Sequence, residues 1–153
     1  MIMSTTGVVY AAEGSVVLDV VPPPRTLAEA MAARGHDEAR EFNDILFETG
    51  INRGPVEVQI EVLPTEPAED TTDNWEDAWE DFDFELPPGT VNLYGPTMGD
   101  VLNIGTIEEP SVYRFRIQAN GRRRKRDLAA TEVVESYLVQ TWIVEQQTRK
   151  IVS

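Results

Sequence analysis

The chain has no cysteine and one histidine, His36, in 153 residues. Without thiols there is no disulfide framework, no thiol nucleophile and no thiolate metal site. That suits a reducing compartment, and the expected location is the cytoplasm. Long hydrophobic runs are missing too. Apolar runs such as Val16-Val17-Leu18 and Ile143-Val144 are short, far below the roughly 20 apolar residues of a membrane-spanning helix. Residues 1–21 lack a basic start and carry Glu13 and Asp19 within their apolar stretch, which argues against a signal peptide. Positive charge is absent from the middle of the chain: residues 54–113 contain 15 acids and no Lys or Arg. No phosphate-cradling glycine loop, nucleophile elbow or zinc ligand set occurs, so the expectation is a protein that is not an enzyme, with no cofactor and no metal.

What is present is acid. The formal net charge is −14, concentrated in that central block, while residues 114–153 are net basic. Such a surface repels nucleic acid and anionic lipid and attracts cationic partners at long range. Neither nucleic acid nor membrane is therefore an expected partner.

The length fits a single domain over 1–153. Residues 7–12 and 15–21 are β-branched and flank Glu13-Gly14, which reads as two strands around a turn. Pro22-Pro23-Pro24 stops regular structure. Thr26 and Glu29 form a capping-box pattern, and Leu27, Met31, Gly35, Ala39, Phe42 and Leu46 follow at helical spacing, predicting a helix or two that end near Gly50. The period then changes to two. Val56, Val58, Ile60 and Val62 alternate with Glu57, Gln59 and Glu61, predicting a half-buried strand. Residues 64–74, rich in Pro, Asp, Glu and Thr, read as a flexible acidic loop. Further strands are expected over 81–86, 90–94, 100–105, 113–119 and 136–145. In the first of these, Asp81, Asp83 and Glu85 share one face and Phe82, Phe84 and Leu86 the other. The fold class expected is mainly β with one or two helices (α+β): an antiparallel β-sandwich or barrel-like sheet, with the helix covering one edge or end.

Three groups of residues invite a functional reading. His36 sits beside Gly35 and Asp37 with no nucleophile suggested nearby, and reads as a solvated or capping residue. The acids from Glu66, Glu69 and Asp70 to Glu85 are interleaved with Trp75, Trp79, Phe82 and Phe84. They lack the spacing and turn glycine of a calcium loop. Carboxylates that steer a basic protein, beside aromatics that supply desolvated contact area, instead suggest a binding face. Its candidate residues are Asp73, Trp75, Glu76, Asp77, Trp79, Glu80, Asp81, Asp83 and Glu85. The run Arg122-Arg123-Arg124-Lys125-Arg126 has no aromatic interleaving and reads as a solvated loop, or one folded onto the protein's own acids.

The stretch Tyr113-Arg114-Phe115-Arg116-Ile117-Gln118-Ala119-Asn120-Gly121-Arg122, with the later Glu135-Ser136-Tyr137-Leu138-Val139-Gln140-Thr141-Trp142, resembles the close of a group of small actinobacterial proteins. That group is similar to the competence protein J family of nuclease inhibitors. Trp75 to Leu86 with Pro87-Pro88-Gly89 resembles the strand and turn before it. The likeness spans about half the chain. The family's Gly-Arg-Asp turn is widened here to run from Gly121-Arg122 to Asp127, and a helical pattern occupies the N-terminal third. The resemblance implies a β-rich fold and an inhibitor or immunity protein that occludes a cationic partner such as a toxin or nuclease. The alternative is a β-rich structural module that self-assembles through exposed strand edges, so homo-oligomerisation stays open.

Overall fold

The computed structural model describes residues 3–21, 45–68, 71–96 and 101–146. Within them the chain forms ten strands: β1 (Met3–Ala11), β2 (Ser15–Val21), β3 (Ile45–Glu48), β4 (Gly54–Leu63), β5 (Asp77–Ala78), β6 (Phe82–Leu86), β7 (Gly89–Tyr94), β8 (Leu102–Ile107), β9 (Ser111–Asn120) and β10 (Ser136–Gln146). A 3-10 turn spans Thr72–Asn74.

Two sheets share one core. The larger has the order β1-β4-β10-β9-β5, and β6 pairs with β9 further along the same edge. The smaller has the order β3-β2-β7-β8. Glu13 and Gly14, both at positive φ, turn the chain between β1 and β2 and send them into different sheets. The period-two patterns explain the core. Val56, Val58 and Ile60 of β4, Phe115 and Ile117 of β9, and Tyr137 and Val139 of β10 meet Val16, Leu18, Phe47 and Leu93 of the smaller sheet. In β6 the alternation falls as expected, with Asp81, Asp83 and Glu85 exposed, Phe82 and Phe84 half-buried, and Leu86 buried.

Three expectations change. The sheets do not close into a barrel. Pairing is not wholly antiparallel, because β10 runs parallel to β4, with Tyr137 opposite Val58 and Val139 opposite Ile60. The helical pattern does not continue to Gly50: residues 45–48 are a strand, paired antiparallel with Leu18 to Ser15. Ile45 and Phe47 turn inward at a spacing of two, and Leu46, assigned by its spacing to an apolar helical stripe, is 65% exposed. Pro22–Pro24, the Thr26/Glu29 capping box, the helical stripe from Leu27 to Phe42, His36, Glu69 and Asp70 lie outside the described residues.

The two seams between the sheets differ. At one, β1 meets β8, and Gly7 lets Leu102 pack so tightly that a side chain there would collide with it. At the other, the edges β3 and β5–β6 flank an open groove.

Candidate functional site

The groove at the open seam is lined by Ile45, Leu46, Phe47 and Glu48 on one side and by Trp79, Phe82, Phe84 and Ile117 on the other, with a volume of about 380 Å³. Phe82 stacks on Phe115, ring centres 5.4 Å apart, and the Tyr137 ring lies between Phe47 (6.2 Å) and Trp79 (6.3 Å). The core thus holds the groove floor in place.

The acids beside it are largely committed to the protein's own cations. Asp83 accepts from Arg114 Nε and Nη2 at 2.7 and 2.9 Å, and Asp81 accepts from Arg116 Nε and Nη2 at 3.0 and 2.9 Å. Cross-strand register explains both forks. Asp83 lies directly opposite Arg114 when β6 pairs with β9, and Asp81 precedes Phe82, which faces Phe115. The hydrogen bonds from Arg114 hold the Asp83 carboxyl below the usual carboxylate range. Arg116 also has Glu66 at 4.0 Å and places its guanidinium over the Trp142 ring at 5.2 Å. Thr71 donates to Gln118 (2.8 Å), so residues from both halves of the acidic stretch touch the outer face of the larger sheet.

Asp77 accepts from Arg123 at 3.1 Å and lies 3.8 Å from Arg122. Glu76 accepts from the Gly121 amide, while its own amide donates to Asn120 Oδ1 at 2.8 Å. Of the nine acidic and aromatic candidates, Glu76, Asp77, Asp81 and Asp83 therefore bind internal partners. Trp79 packs against the core, and Trp75 is half-buried. Asp73, Glu80 and Glu85 are exposed and form no ion pair among the described residues.

The arginine run divides in two. Arg122 turns inward: its Cζ lies 4.8 Å from the Trp79 ring centre, and Nη2 donates to the Glu48 carbonyl at 3.3 Å. Arg123 donates to Asp77, whereas Arg124, Lys125 and Arg126 are exposed.

Glu135 organises this end of the molecule; it opens the Glu135-Ser136-Tyr137 stretch that carries the resemblance, but neither its charge nor its spacing marks it as a buried group. It is completely buried and accepts from the Gly50 and Ile51 amides at 3.0 and 2.5 Å and from the Tyr137 hydroxyl at 2.5 Å. Around it the basic loop is bound backbone to backbone: Asp127 N donates to Gly50 O (2.9 Å), Asn52 N to Leu128 O (2.8 Å) and Ala130 N to Arg53 O (2.8 Å). Two glycines permit the approach. A Cβ on Gly50 would overlap the Arg122 carbonyl, and one on Gly121, at φ 86°, would overlap that of Val134.

Burial, and then the bond to Glu135, push the Tyr137 hydroxyl well above its ordinary pKa of 10.0. The folded state holds that proton where the unfolded chain releases it, so stability is intact below about pH 10 and falls as pH rises further. Thermal unfolding followed from pH 8 to 11.5 should show this decline. Tyr137→Phe should be less stable at neutral pH yet show a shallower alkaline slope. Equal slopes would remove Tyr137 as the cause.

No family model and no curated protein matches the chain. Two solved structures do. One, described as crocagin biosynthetic gene J, superposes with a TM-score of 0.56 at 14% identity, covering 93% of this chain and 97% of the other. The second is ComJ from Bacillus subtilis, inhibitor of the DNA-degrading activity of NucA, with a TM-score of 0.56 at 14% identity, covering 94% of this chain and 99% of that one. Over nearly its whole length, the chain has the fold of ComJ.

Proposed function

We propose that this protein is a non-catalytic inhibitor, of the immunity or nuclease-inhibitor kind, that acts in the cytoplasm by occluding a protein partner with a basic surface. The observation that carries the reading is the open seam: a groove with an aromatic floor, lined by Glu48, in a chain whose nearby Glu80 and Glu85 remain exposed. Aromatic side chains held by a core are suited to an interface centre, where contact area can be desolvated without ordering them first. Carboxylates around them speed encounter with a cationic surface and can occupy positions that phosphates would take on a nuclease. The fold of ComJ, itself an inhibitor of a nuclease's activity, supports the same reading. Asp77, Asp81 and Asp83 are engaged in internal pairs, so the exposed Asp73, Glu80 and Glu85 are the acids this reading assigns to a partner.

The test is capture from the native cytosol at low salt, comparing wild type with the double reversal Glu80→Lys/Glu85→Lys. Wild type should retain a basic protein and suppress its activity. The double variant should keep its fold, because exposed charge changes shift stability by about 0.5 kcal/mol or less. It should associate more slowly, with a deficit that shrinks as salt is added. A captured protein that binds both forms equally at low salt would overturn the assignment of this surface.

A further inference from the structure

A second space lies between the sheets, away from the groove and sharing no lining residue with it. It is a cavity of about 90 Å³ whose walls are almost entirely apolar, among them Leu18, Ile60, Val91, Ile104 and Phe115. Its origin is a β-bulge. Where β7 pairs with β8, Val91 faces Gly105 and Asn92 faces Asn103, leaving Ile104 as an extra residue in β8. The bulged strand bends away, and a Cβ built on Gly105 would meet no atom within 4 Å. Exposed Thr106 and half-buried Tyr113 flank the route in.

One polar group belongs to this wall and has nothing to bind. Thr141, on β10, is 6% exposed, and its Oγ1 has no hydrogen-bond partner among the described residues. A buried hydroxyl without a partner is costly, so a ligand that satisfies it gains more than the bond itself. Water is a poor candidate: besides Thr141 the hydroxyl-bearing residues of the lining are Thr106 and Tyr113 at the route in, and a buried water needs two to four polar partners. A cavity of roughly 150 Å³ lined by aliphatic residues takes up benzene, and one of about 15 Å³ is enough for a water molecule. The volume here lies between them.

We propose that this cavity binds a small aliphatic molecule with a single hydroxyl, of about three or four carbons. Its hydroxyl bonds to Thr141 Oγ1, and its alkyl body lies against Leu18, Ile60 and Ile104. Charge complementarity plays no part, so the site is independent of the inhibitor reading.

The probes are butan-1-ol and xenon, each titrated into the full-length protein while methyl resonances are followed by NMR. Both should give saturable shifts concentrated on Leu18, Ile60 and Ile104. Thr141→Val keeps the shape of the wall and removes the hydroxyl, so it should weaken butan-1-ol about tenfold and leave xenon unchanged. Val91→Phe should abolish both by filling the space, and Val62→Leu at the half-buried rim serves if that variant does not fold. Equal butan-1-ol affinity in wild type and Thr141→Val would overturn the proposal. So would shifts spread over surface methyls, or no saturation with either probe.

Discussion

Glu135→Ala should be the most destabilising single substitution outside the apolar core, costing about 3–5 kcal/mol. The carboxylate accepts two backbone amides and the Tyr137 hydroxyl in a site with no access to water. Truncation leaves all three donors buried and unpaired, and each such group costs about 1–3 kcal/mol. Glu135→Gln separates hydrogen bonding from size. Its amide offers one acceptor where the structure uses two. With oxygen at the Oε1 position, the Ile51 amide faces an NH2 group; in the flipped rotamer, the Gly50 amide does. Either way one backbone donor is lost, and the expected cost is about 2 kcal/mol. Chemical denaturation of the three proteins gives the comparison. A loss below about 1 kcal/mol for Glu135→Ala would mean that the donors find other partners, and the basic loop could then not depend on this carboxylate for its position.

The contrast between Glu135 and the acidic stretch shows which parts of this molecule are legible in its sequence. Alternation at spacing two marks β4 and β6 because each buries one face, and that burial is what the pattern records; β9 alternates in sequence as well, yet Arg116 and Gln118 are buried along with Phe115, Ile117 and Ala119. β3 escapes notice for a physical reason: a four-residue strand has only two inward positions, Ile45 and Phe47, and Leu46 also fits a helical register from Phe42. β5 is two residues long and has no period at all. The aromatic edge at Trp79, Phe82 and Phe84 is legible from composition, but the other wall of the groove comes from Leu46 and Phe47, more than thirty residues earlier. Likewise, a run of acids shows its charge but not its partners. Asp81 and Glu85 look alike in sequence, and only the pairing of β6 with β9 places one against Arg116 and leaves the other exposed. Glu135 is harder still. The resemblance includes it in a strand motif, but by charge and spacing a carboxylate after Val133-Val134 looks like any solvated acid, and its three donors come from Gly50, Ile51 and Tyr137.

That difference between Asp81 and Glu85 carries the second large effect. Asp81→Lys should cost about 3 kcal/mol, whereas Glu85→Lys should fall within about 0.5 kcal/mol of wild type. Ion pairs at a surface contribute little, but the Arg116 side chain is only 10% exposed, sealed between Asp81 and the Trp142 ring. The bidentate carboxylate gives its guanidinium two charge-assisted hydrogen bonds, and Glu66 lies at 4.0 Å. Lysine at position 81 removes both bonds and sets a second cation beside a largely desolvated first. Asp83→Lys should lie between the two, because Asp83 and Arg114 are both well exposed. Unfolding midpoints in denaturant for the three reversals test the ranking, and Arg116→Met in the Asp81→Lys background isolates its cause. An apolar side chain of similar length should recover much of the loss, because the like-charge repulsion is gone while the contact with Trp142 remains. If Asp81→Lys is as mild as Glu85→Lys, the Asp81–Arg116 pair does not hold the edge. The acidic face would then be interchangeable along its whole length.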